Sequence, residues 1–246
     1  MSAFDREVSE RIDANGKNKA LLASADALMR TSLPSQYSYN FSWLGRPIIQ
    51  YPQDIVAMQE LIWTVQPDLI IETGIAHGGS LIFSASMLEL NAACGGPQDG
   101  KVLGVDIDIR AHNRAAIESH RMFKRIQMIQ GSSIALEVVE QVKAIAAERQ
   151  RVMVCLDSNH THDHVLTELQ LYAPLTSIGS YCVVFDTIVE DVPAEIFANR
   201  PWGPGNNPKT AVRQFLHSHD EFEIDKQIDR KLLISVAPDG YLRRIR

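Results

Sequence analysis

Short runs of apolar residues recur along the chain, separated by longer stretches in which apolar positions repeat with the period of a helix. The short runs are typical of buried strands and occupy residues 69–72, 101–106, 126–130, 152–156 and 181–185. The longer stretches predict helices at residues 79–90, 110–123, 134–149 and 162–171. Strands that alternate with such helices predict βαβ units and a parallel sheet. Right-handed crossovers then place the carboxyl ends of all these strands at one edge of the sheet.

The end of the chain has a different pattern. A helix is expected at residues 209–217, and strands are expected at residues 221–226, 231–236 and 241–245. The Pro-Asp-Gly sequence at residues 238–240 is a turn signal before the last strand. The sequence therefore predicts an α/β fold, a doubly wound, mostly parallel sheet that ends in antiparallel strands.

Before the first strand, helix signals alternate with an aromatic stretch. Residues 19–29 have helical periodicity, and residues 37–51 contain three Tyr, one Phe and one Trp. This aromatic stretch could line a pocket or cover an edge of the sheet, and the pattern favours neither. Asp54 is expected to cap a helix over residues 55–65, which Pro67 ends.

The length of 246 residues suits one domain with a small N-terminal extension. We divide the chain into a cap segment, residues 1–53, and a main domain, residues 54–246. The formal net charge of −6 gives no basic field, so nucleic acid is not an expected partner. No apolar run approaches the roughly 20 residues that a spanning helix needs, so no membrane association is expected.

The N-terminal sequence and the cysteines indicate a cytoplasmic protein. The first residues are polar and mixed in charge, unlike a signal peptide. The three cysteines, Cys94, Cys155 and Cys182, are an odd number, and two of them lie in apolar runs. That pattern is typical of reduced thiols and not of a disulfide framework. The N-terminal helical segment could serve as an oligomer contact, and we expect a homo-oligomer.

Acidic residues stand at the ends of four of the five predicted parallel strands: Glu72, Asp106, Asp157 and Asp186. Carboxylates gathered at one edge are costly unless amines, hydroxyls or a cation neutralise them. The same edge is where open α/β sheets bind ligands. The sequence therefore predicts a site here for a ligand that carries positive charge or free hydroxyls.

A glycine-rich turn follows the first core strand and leads into the next helix. Gly74, Gly78 and Gly79 allow its backbone to pass close to a ligand. Asp106, at the end of the next strand, is placed to bind ribose hydroxyls, as in dinucleotide-binding folds. The Gly-x-Gly-x-x-Gly pattern is absent, because Ala76 occupies the second glycine position. This favours S-adenosylmethionine (SAM), with its positive amine and sulfonium, over a nicotinamide cofactor; an ordinary tight turn is the alternative.

Asp157 and Asp186 end consecutive predicted strands, so their carboxylates are expected to be neighbours. Two such carboxylates suit Mg²⁺, which prefers oxygen ligands and keeps several waters. His160 could accept a proton from a hydroxyl that the metal has acidified, or it could cap a helix or face solvent. His160 and His164 have the i, i+4 spacing of a transition-metal pair, but no third ligand is evident, so zinc is not expected.

A long irregular stretch, residues 187–208, follows the fifth strand. Irregular segments of this length in compact domains are usually lids or disordered, and the Trp and Pro content of this one favours a lid. Trp202 could face the substrate or only fix the loop. His162 and Tyr39 are further candidates for substrate contact, although the pattern favours His162 as a helix-surface or packing residue.

Several short motifs occur together in this chain. They are Trp43-Leu44-Gly45-x-Pro47, Pro52-x-Asp54, Glu72-x-Gly74-x-x-His77-Gly78-Gly79-Ser80, Gly104-Val105-Asp106-Ile107-Asp108, Gly131-Ser132-Ser133 and Asp157-Ser158-x-His160-x-x-x-His164-Val165. With these motifs the chain resembles, from about residue 39 to its C-terminus, the cephalosporin hydroxylase and rhamnosyl O-methyltransferase family. Each motif alone is unspecific, but the combination is specific.

The resemblance implies a class I SAM-dependent methyltransferase with a seven-stranded, Rossmann-like sheet. It implies a cofactor site formed by Glu72, Gly74, His77, Gly78, Ser80, Asp106, Ile107, Ser133 and Asp157. In this site Asp106 binds the ribose and Ser133 lies near the adenine. The resemblance also implies Mg²⁺ bound by Asp157 and Asp186, with His160 as the base.

One position departs from the family pattern. Relatives commonly have Glu-Asp after the fifth strand, whereas this chain has Phe185-Asp186-Thr187. One carboxylate ligand is therefore missing, and Thr187 or water could fill its place. The expected function is SAM-dependent, Mg²⁺-assisted O-methylation of a hydroxyl on a sugar or glycosylated small molecule. The alternatives are an NAD-dependent oxidoreductase and a non-catalytic relative that binds SAM or a glycan without metal.

Overall fold

The computed structural model describes residues 2–246 of the chain. The strands are β1 Ser42–Trp43, β2 Arg46–Pro47, β3 Leu69–Thr73, β4 Lys101–Asp106, β5 Ile126–Gln130, β6 Val152–Leu156, β7 Tyr181–Val184, β8 Phe222–Ile224 and β9 Tyr241–Arg244. β1 and β2 form a separate hairpin, and the other seven form one sheet in the order β5-β4-β3-β6-β7-β9-β8. β3 to β7 run parallel, whereas β9 pairs antiparallel with β7 and β8. The predicted seven-stranded, mostly parallel sheet with antiparallel C-terminal strands is confirmed.

Helices cover both faces of this sheet. They are α1 Ala3–Asn15, α2 Lys19–Ser32, α3 Pro52–Val65, α4 Gly79–Ala93, α5 Ala111–Glu118, α6 Leu136–Ala146, α7 His162–Tyr172, α8 Pro208–Leu216 and α9 Lys226–Leu232. α3, α4 and α5 pack on one face and α6, α7 and α8 on the other, each set with its own apolar core. The fold is therefore doubly wound.

The central strands β3 and β6 are buried along their whole length. Because successive side chains of a strand point to opposite faces, Ile70 and Met153 join one core, while Ile71 and Val154 join the other. From β3 the chain builds the sheet outward through β4 and β5, and from β6 it builds in the other direction through β7. Such a switch point leaves a crevice at the carboxyl ends of the two central strands.

The start of α3 differs from the prediction. The helix begins at Pro52, because proline suits the first helical position, where no intrahelical partner for an N–H exists. Asp54 is therefore not the cap, and that prediction is wrong. It lies inside the first turn, fully buried, and accepts hydrogen bonds from Ser235 Oγ at 2.6 Å, Val236 N at 2.9 Å and Tyr241 Oη at 2.8 Å.

The end of the chain also differs from the prediction. The strand expected at residues 231–236 is wrong, because α9 extends through Leu232 and a loop follows. Asp225 starts this helix by accepting a hydrogen bond from the Gln227 amide at 3.1 Å, a side-chain cap that stabilises a helix over a strand. The stretch 187–208 is more ordered than expected and contains short 3₁₀ turns at Thr187–Asp191 and Ala194–Phe197.

The N-terminal segment packs unevenly on the rest of the chain. No residue of α1 is buried, whereas α2 buries Ala25 and Met29, and Met29 belongs to the core beneath α3 and α4. The division into a cap segment, residues 1–53, and a main domain stays a prediction. Over residues 2–246, none of the helices combines the length and the apolar character needed to cross a lipid bilayer.

Candidate active site

The carboxyl ends of β3, β6 and β7 meet at the switch point. Asp157 directly follows β6, and its amide donates to the Thr73 carbonyl at 2.9 Å. Phe185 directly follows β7, and its amide donates to the Leu156 carbonyl at 3.0 Å. Pairing between the strands therefore continues to the residues that precede the loops. Asp186 then turns the chain with φ of 55°, a left-handed conformation that Asp tolerates better than most residues.

Asp157, His160 and Asp186 come together at this edge of the sheet. One potential ligand atom from each residue lies within 4.8 Å of those of the other two. The His160 Nε2 atom is 3.1 Å from the Asp186 Oδ2 atom. Trp202 packs edge-on against the His160 ring, with 4.8 Å between the ring centroids. The predicted neighbourhood of the two carboxylates and His160 is thus present in the fold.

The electrostatics of this cluster favour a positively charged guest. Burial raises the pKa of Asp157 well above its ordinary value, and the negative charges of Asp186 and Glu72 raise it further. A cation held between the carboxylates would favour their ionised forms and so oppose this shift. Positive charge at the cluster is therefore stabilising.

Thr187 and His164, which are close to the cluster in the sequence, form hydrogen bonds outside it. The Thr187 hydroxyl donates to the Pro238 carbonyl at 2.6 Å, and the residue is fully buried. Thr187 therefore does not replace the missing carboxylate in this arrangement. His164 Nε2 lies 3.2 Å from the Ser158 hydroxyl, so His164 does not join His160 in a metal pair.

Contacts within the protein shape the glycine turn between β3 and α4. A Cβ atom at Gly74 would lie 2.1 Å from the Asp157 carbonyl oxygen, and one at Gly79 would lie 2.1 Å from the Pro47 carbonyl oxygen. A Cβ atom at Gly78 would meet a side chain of α5. Where the sequence predicts the close approach of a ligand, the structure shows the close approach of the β6 loop, the β1–β2 hairpin and α5.

Glu72 supports this turn from the interior. It is 4% exposed, and the Ser80 hydroxyl donates a hydrogen bond to its carboxylate. Burial raises the pKa of Glu72 to about 7, although the hydrogen bond from Ser80 opposes the rise. Ser80 reaches the cleft described below, whereas Glu72 lies behind it.

Asp106 fixes the conformation of the same turn. Its Oδ2 atom accepts hydrogen bonds from the amides of Ile75 at 2.7 Å and Ala76 at 3.3 Å, and its Oδ1 atom accepts one from Asp108 N at 3.0 Å. The next residue, Ile107, is 72% exposed. Asp106 therefore lies beside the turn, and its contact with a ribose stays a prediction.

Ser133 belongs to a polar network and does not line the cleft. Its hydroxyl lies 3.1 Å from His164 Nε2, and its carbonyl accepts a hydrogen bond from Tyr172 Oη at 2.6 Å. On the other side of His164, the Ser158 hydroxyl donates to the buried Glu168 carboxylate at 2.7 Å. The network connects the end of β5 with the loop after β6.

A cleft of about 420 Å³ opens along this edge of the sheet. The glycine turn, including His77 and Ser80, and the cluster of Asp157, His160 and Asp186 form part of its lining. One wall comes from the N-terminal segment and includes Gln36, Ser38, Tyr39 and Gln50. The other comes from the 187–208 stretch and includes Ile196, Phe197 and Arg200. Tyr39 is therefore placed where a substrate contact is expected.

The other two candidates for substrate contact differ in position. Trp202 lies against His160, and the Arg200 guanidinium carbon is 5.3 Å from its ring centroid. His162 lies between α7 and α8, where its ring nitrogens contact Thr210 Oγ1 at 2.8 Å and Gln214 Oε1 at 3.0 Å. The structure places Trp202 behind His160 and outside the lining of the cleft, and it does not bring His162 to the site.

The sequence does not single out several residues of the cleft walls, among them Gln50 and Arg200. Gln50 lies in the aromatic stretch, and Arg200 lies two residues before Trp202 in the irregular stretch. The signal available was their position as polar residues within segments that were themselves candidate pocket walls.

Comparison with known proteins agrees with this geometry. The family model Rhamnosyl O-methyltransferase/CmcI matches residues 35–245. A rhamnosyl O-methyltransferase of Mycobacterium leprae (strain TN) is 29% identical over 205 residues, covering 82% of each chain. One of Mycobacterium tuberculosis (strain ATCC 25618 / H37Rv) is 30% identical over 194 residues, covering 78% of this chain and 73% of the relative.

A solved structure of CmcI with Mg and SAM is similar in fold, with a TM-score of 0.58 and 19% sequence identity. The match covers 85% of this chain and 78% of that chain. None of these matches supports the alternative of an NAD-dependent oxidoreductase. The match over residues 35–245 and the similarity to the mycobacterial enzymes show that this chain belongs to the rhamnosyl O-methyltransferase/CmcI family and is a SAM-dependent O-methyltransferase.

Proposed function

We propose that this protein transfers the methyl group of SAM to a hydroxyl of a sugar or of a glycosylated small molecule, with Mg²⁺ at Asp157 and Asp186. The observation that carries the proposal is the cluster of Asp157, His160 and Asp186 in one cleft with the glycine turn. The rhamnosyl names of the relatives favour a deoxysugar hydroxyl as the acceptor.

The donor set of the cluster fits Mg²⁺. Mg²⁺ is commonly held by one or two carboxylates, with waters or substrate oxygens in the other positions. Asp157 and Asp186 supply two carboxylates, and the raised pKa of Asp157 indicates a place that favours positive charge. When bound there, Mg²⁺ lowers the pKa of a coordinated hydroxyl and orients it. Because Mg²⁺ prefers oxygen ligands, the His160 nitrogen remains available for proton transfer.

The glycine turn is the proposed site of SAM. Ser80 and His77 line the cleft there, and the Glu72 carboxylate lies behind Ser80, where it favours the positive methionine end. Asp106 is proposed to bind the ribose, and the exposed Ile107 beside it offers an apolar surface to the adenine. When bound, SAM supplies a methyl group activated by its sulfonium.

Gly74 and Gly78 are proposed to contribute to the SAM site through the shape of the glycine turn. Ser133 is proposed to contribute only indirectly, through the hydrogen-bond network around His164. Asp157 serves both halves of the site, since its backbone packs on Gly74 while its carboxylate faces the metal position. The metal and cofactor sites are thus joined by one residue.

His160 is proposed to accept the proton of the acceptor hydroxyl at Nε2. In the structure this atom faces Asp186 at 3.1 Å, and the carboxylate stabilises the imidazolium that forms. The edge-on contact with Trp202 restricts rotation of the ring. With the proton held at His160 Nε2, the acceptor oxygen would take the methyl group of SAM, and the bond from the methyl carbon to the sulfonium sulfur would break to leave S-adenosylhomocysteine.

Two further proposals concern the whole protein. A cytoplasmic location is supported by Cys155 and Cys182, which are buried as free thiols in adjacent strands. Assembly into a homo-oligomer is supported by the exposed apolar residues Val56 and Trp63 of α3. Sedimentation of the purified protein measures its oligomeric state.

Methyl transfer to 4-nitrophenyl α-L-rhamnopyranoside tests the proposed function. We expect His160→Ala to lower kcat by about 10²- to 10⁴-fold without changing the affinity for SAM, because proton transfer is lost while the glycine turn is intact. The exposed His217→Ala is the control and should behave as wild type. EDTA should remove most of the wild-type activity, and added Mg²⁺ should restore it.

The outcomes separate the parts of this proposal. Wild-type rates in His160→Ala would remove His160 from the reaction. Activity that survives EDTA would remove the metal from the proposal. Lack of transfer to any member of a panel of sugar hydroxyls would contradict the proposed substrate class.

A further inference from the structure

Gln50 lies in the wall of the cleft, and its amide oxygen is buried. The residue lies between the β1–β2 hairpin and α3, is 6% exposed and contributes to the lining of the cleft. Its Oε1 atom is buried, and no hydrogen-bond partner for it exists among residues 2–246. A buried amide oxygen without a partner costs free energy, because it has given up its hydrogen bond to water. Such groups are uncommon in folded proteins, and water or a ligand can supply the missing partner.

The position of Gln50 indicates which kind of partner is within reach. Asp157, His160 and Asp186 line the same cleft. The negative charge of Asp186 also adds to the raised pKa values of Tyr51 and Asp54, although burial is the larger cause. The segment that carries Gln50 therefore lies near the acidic end of the cleft, where the proposed function places the reacting hydroxyl.

The wall from the N-terminal segment is neutral and combines apolar residues, such as Ile48 and Ile49, with polar ones. Ser38 is 9% exposed and lines the cleft with Gln50, and Gln36 and Tyr39 lie on the same wall. The carboxylates of the cleft come from other elements, the loops after β6 and β7. Carboxylates are the natural partners of cationic groups, whereas a neutral amide oxygen matches the O–H of a neutral, hydroxylated molecule.

We propose that Gln50 Oε1 accepts a hydrogen bond from a second hydroxyl of the methyl acceptor, one that does not receive the methyl group. This inference rests on the proposed function, since it deepens the description of the acceptor in the same cleft. It makes Gln50 a specificity-determining residue and the acceptor a polyhydroxylated one, such as a sugar ring with several free hydroxyls. An acceptor with a single hydroxyl would leave the Gln50 oxygen unsatisfied and would bind more weakly.

The test compares two glutamines of the same segment. Gln50→Leu removes the amide from the cleft wall, and Gln53→Leu removes a second amide whose Oε1 is also buried and unpartnered but which does not line the cleft. The affinity for 4-nitrophenyl α-L-rhamnopyranoside is measured by calorimetry in the presence of S-adenosylhomocysteine and Mg²⁺. The affinity for SAM is measured separately, and urea unfolding shows whether both variants fold.

We expect Gln50→Leu to weaken binding of the rhamnoside by roughly 2- to 13-fold, the range for loss of one hydrogen bond, with the affinity for SAM unchanged. Gln53→Leu should bind the rhamnoside as wild type does. With the monodeoxy analogues of the rhamnoside, one analogue should bind wild type and Gln50→Leu equally, because it lacks the hydroxyl that Gln50 contacts. A merely structural role of Gln50 would weaken all analogues alike.

Three outcomes would overturn the inference. They are equal binding of the rhamnoside by wild type and Gln50→Leu, a loss confined to SAM, and an equal loss with every deoxy analogue. Because the readout is binding, it does not depend on methyl transfer. Binding that requires Gln50 but leads to no turnover would contradict the proposed reaction and support the acceptor contact. Turnover that does not require Gln50 would contradict the acceptor contact and support the proposed reaction.

Discussion

At the scale of single residues, the buried carboxylate of Glu72 makes the stability of the ligand-free protein depend on pH. Burial raises the pKa of Glu72 from an ordinary 4.5 to about 7 in the folded state. Between these values the folded state keeps a proton that the unfolded chain has lost, so the contribution of Glu72 to stability falls as pH rises. Above pH 7 both states are ionised, and the contribution is constant.

Glu72→Gln removes this pH dependence because its amide does not titrate. Relative to wild type, the free energy of unfolding of the variant should rise by about 3 kcal/mol between pH 4.5 and pH 8. Urea unfolding at both pH values measures it. The exposed Glu137→Gln should follow wild type at both. A difference between Glu72→Gln and wild type that is the same at both pH values would contradict the assignment.

The sequence predicts some of these residue contacts and not others. Asp157 and Asp186 follow consecutive strands, so strand order alone places their carboxylates together, and His160 comes with them because it is three residues away. The partners of Thr187 and His164 could not be predicted, because Pro238 and Ser158 reach them through loops whose paths depend on packing. Gln50 was missed for the same reason.

At the scale of elements, Asp54 joins the first turn of α3 to the C-terminal part of the chain. The local sequence pattern predicts Asp54 as a helix cap, but Pro52 occupies the first helical position. The Asp54 carboxylate instead accepts hydrogen bonds from Ser235, Val236 and Tyr241. These partners lie more than 180 residues away in the chain, which no local pattern reports. The positions of the parallel strands could be predicted from their apolar runs, whereas this hydrogen-bonded connection could not.

Asp54→Ala should therefore destabilise the protein by about 3 kcal/mol or more, because three donors in the interior lose their acceptor. The loss is measured as a lower midpoint of urea unfolding. Asp220→Ala, which removes a carboxylate that is 86% exposed, is the control and should change stability by less than about 1 kcal/mol. If the two variants unfold at the same urea concentration, Asp54 does not connect these elements energetically.

At the scale of the whole molecule, the N-terminal segment has one dispensable helix and one that completes the fold. α1 has no buried residue, lies outside the family match at residues 35–245, and contacts α9 through the half-exposed pair of Asp13 and Arg230 at 2.9 Å. In contrast, α2 places Met29 in the core and brings the Ser32 hydroxyl within 2.7 Å of Tyr51 Oη, next to the cleft wall.

Two truncations separate these roles. Removal of residues 2–17 should lower the free energy of unfolding by less than about 1 kcal/mol, because only exposed contacts are lost. Removal of residues 2–32 should cost about 3 kcal/mol or more, because Met29 leaves a cavity in the core and Tyr51 loses its partner. The longer truncation should also weaken binding of a rhamnoside more than binding of SAM, since α2 supports the wall that carries Gln50 while the glycine turn is held by Asp106 and the β1–β2 hairpin. Equal losses of both ligands would show that the N-terminal segment supports the whole site and not one wall of it.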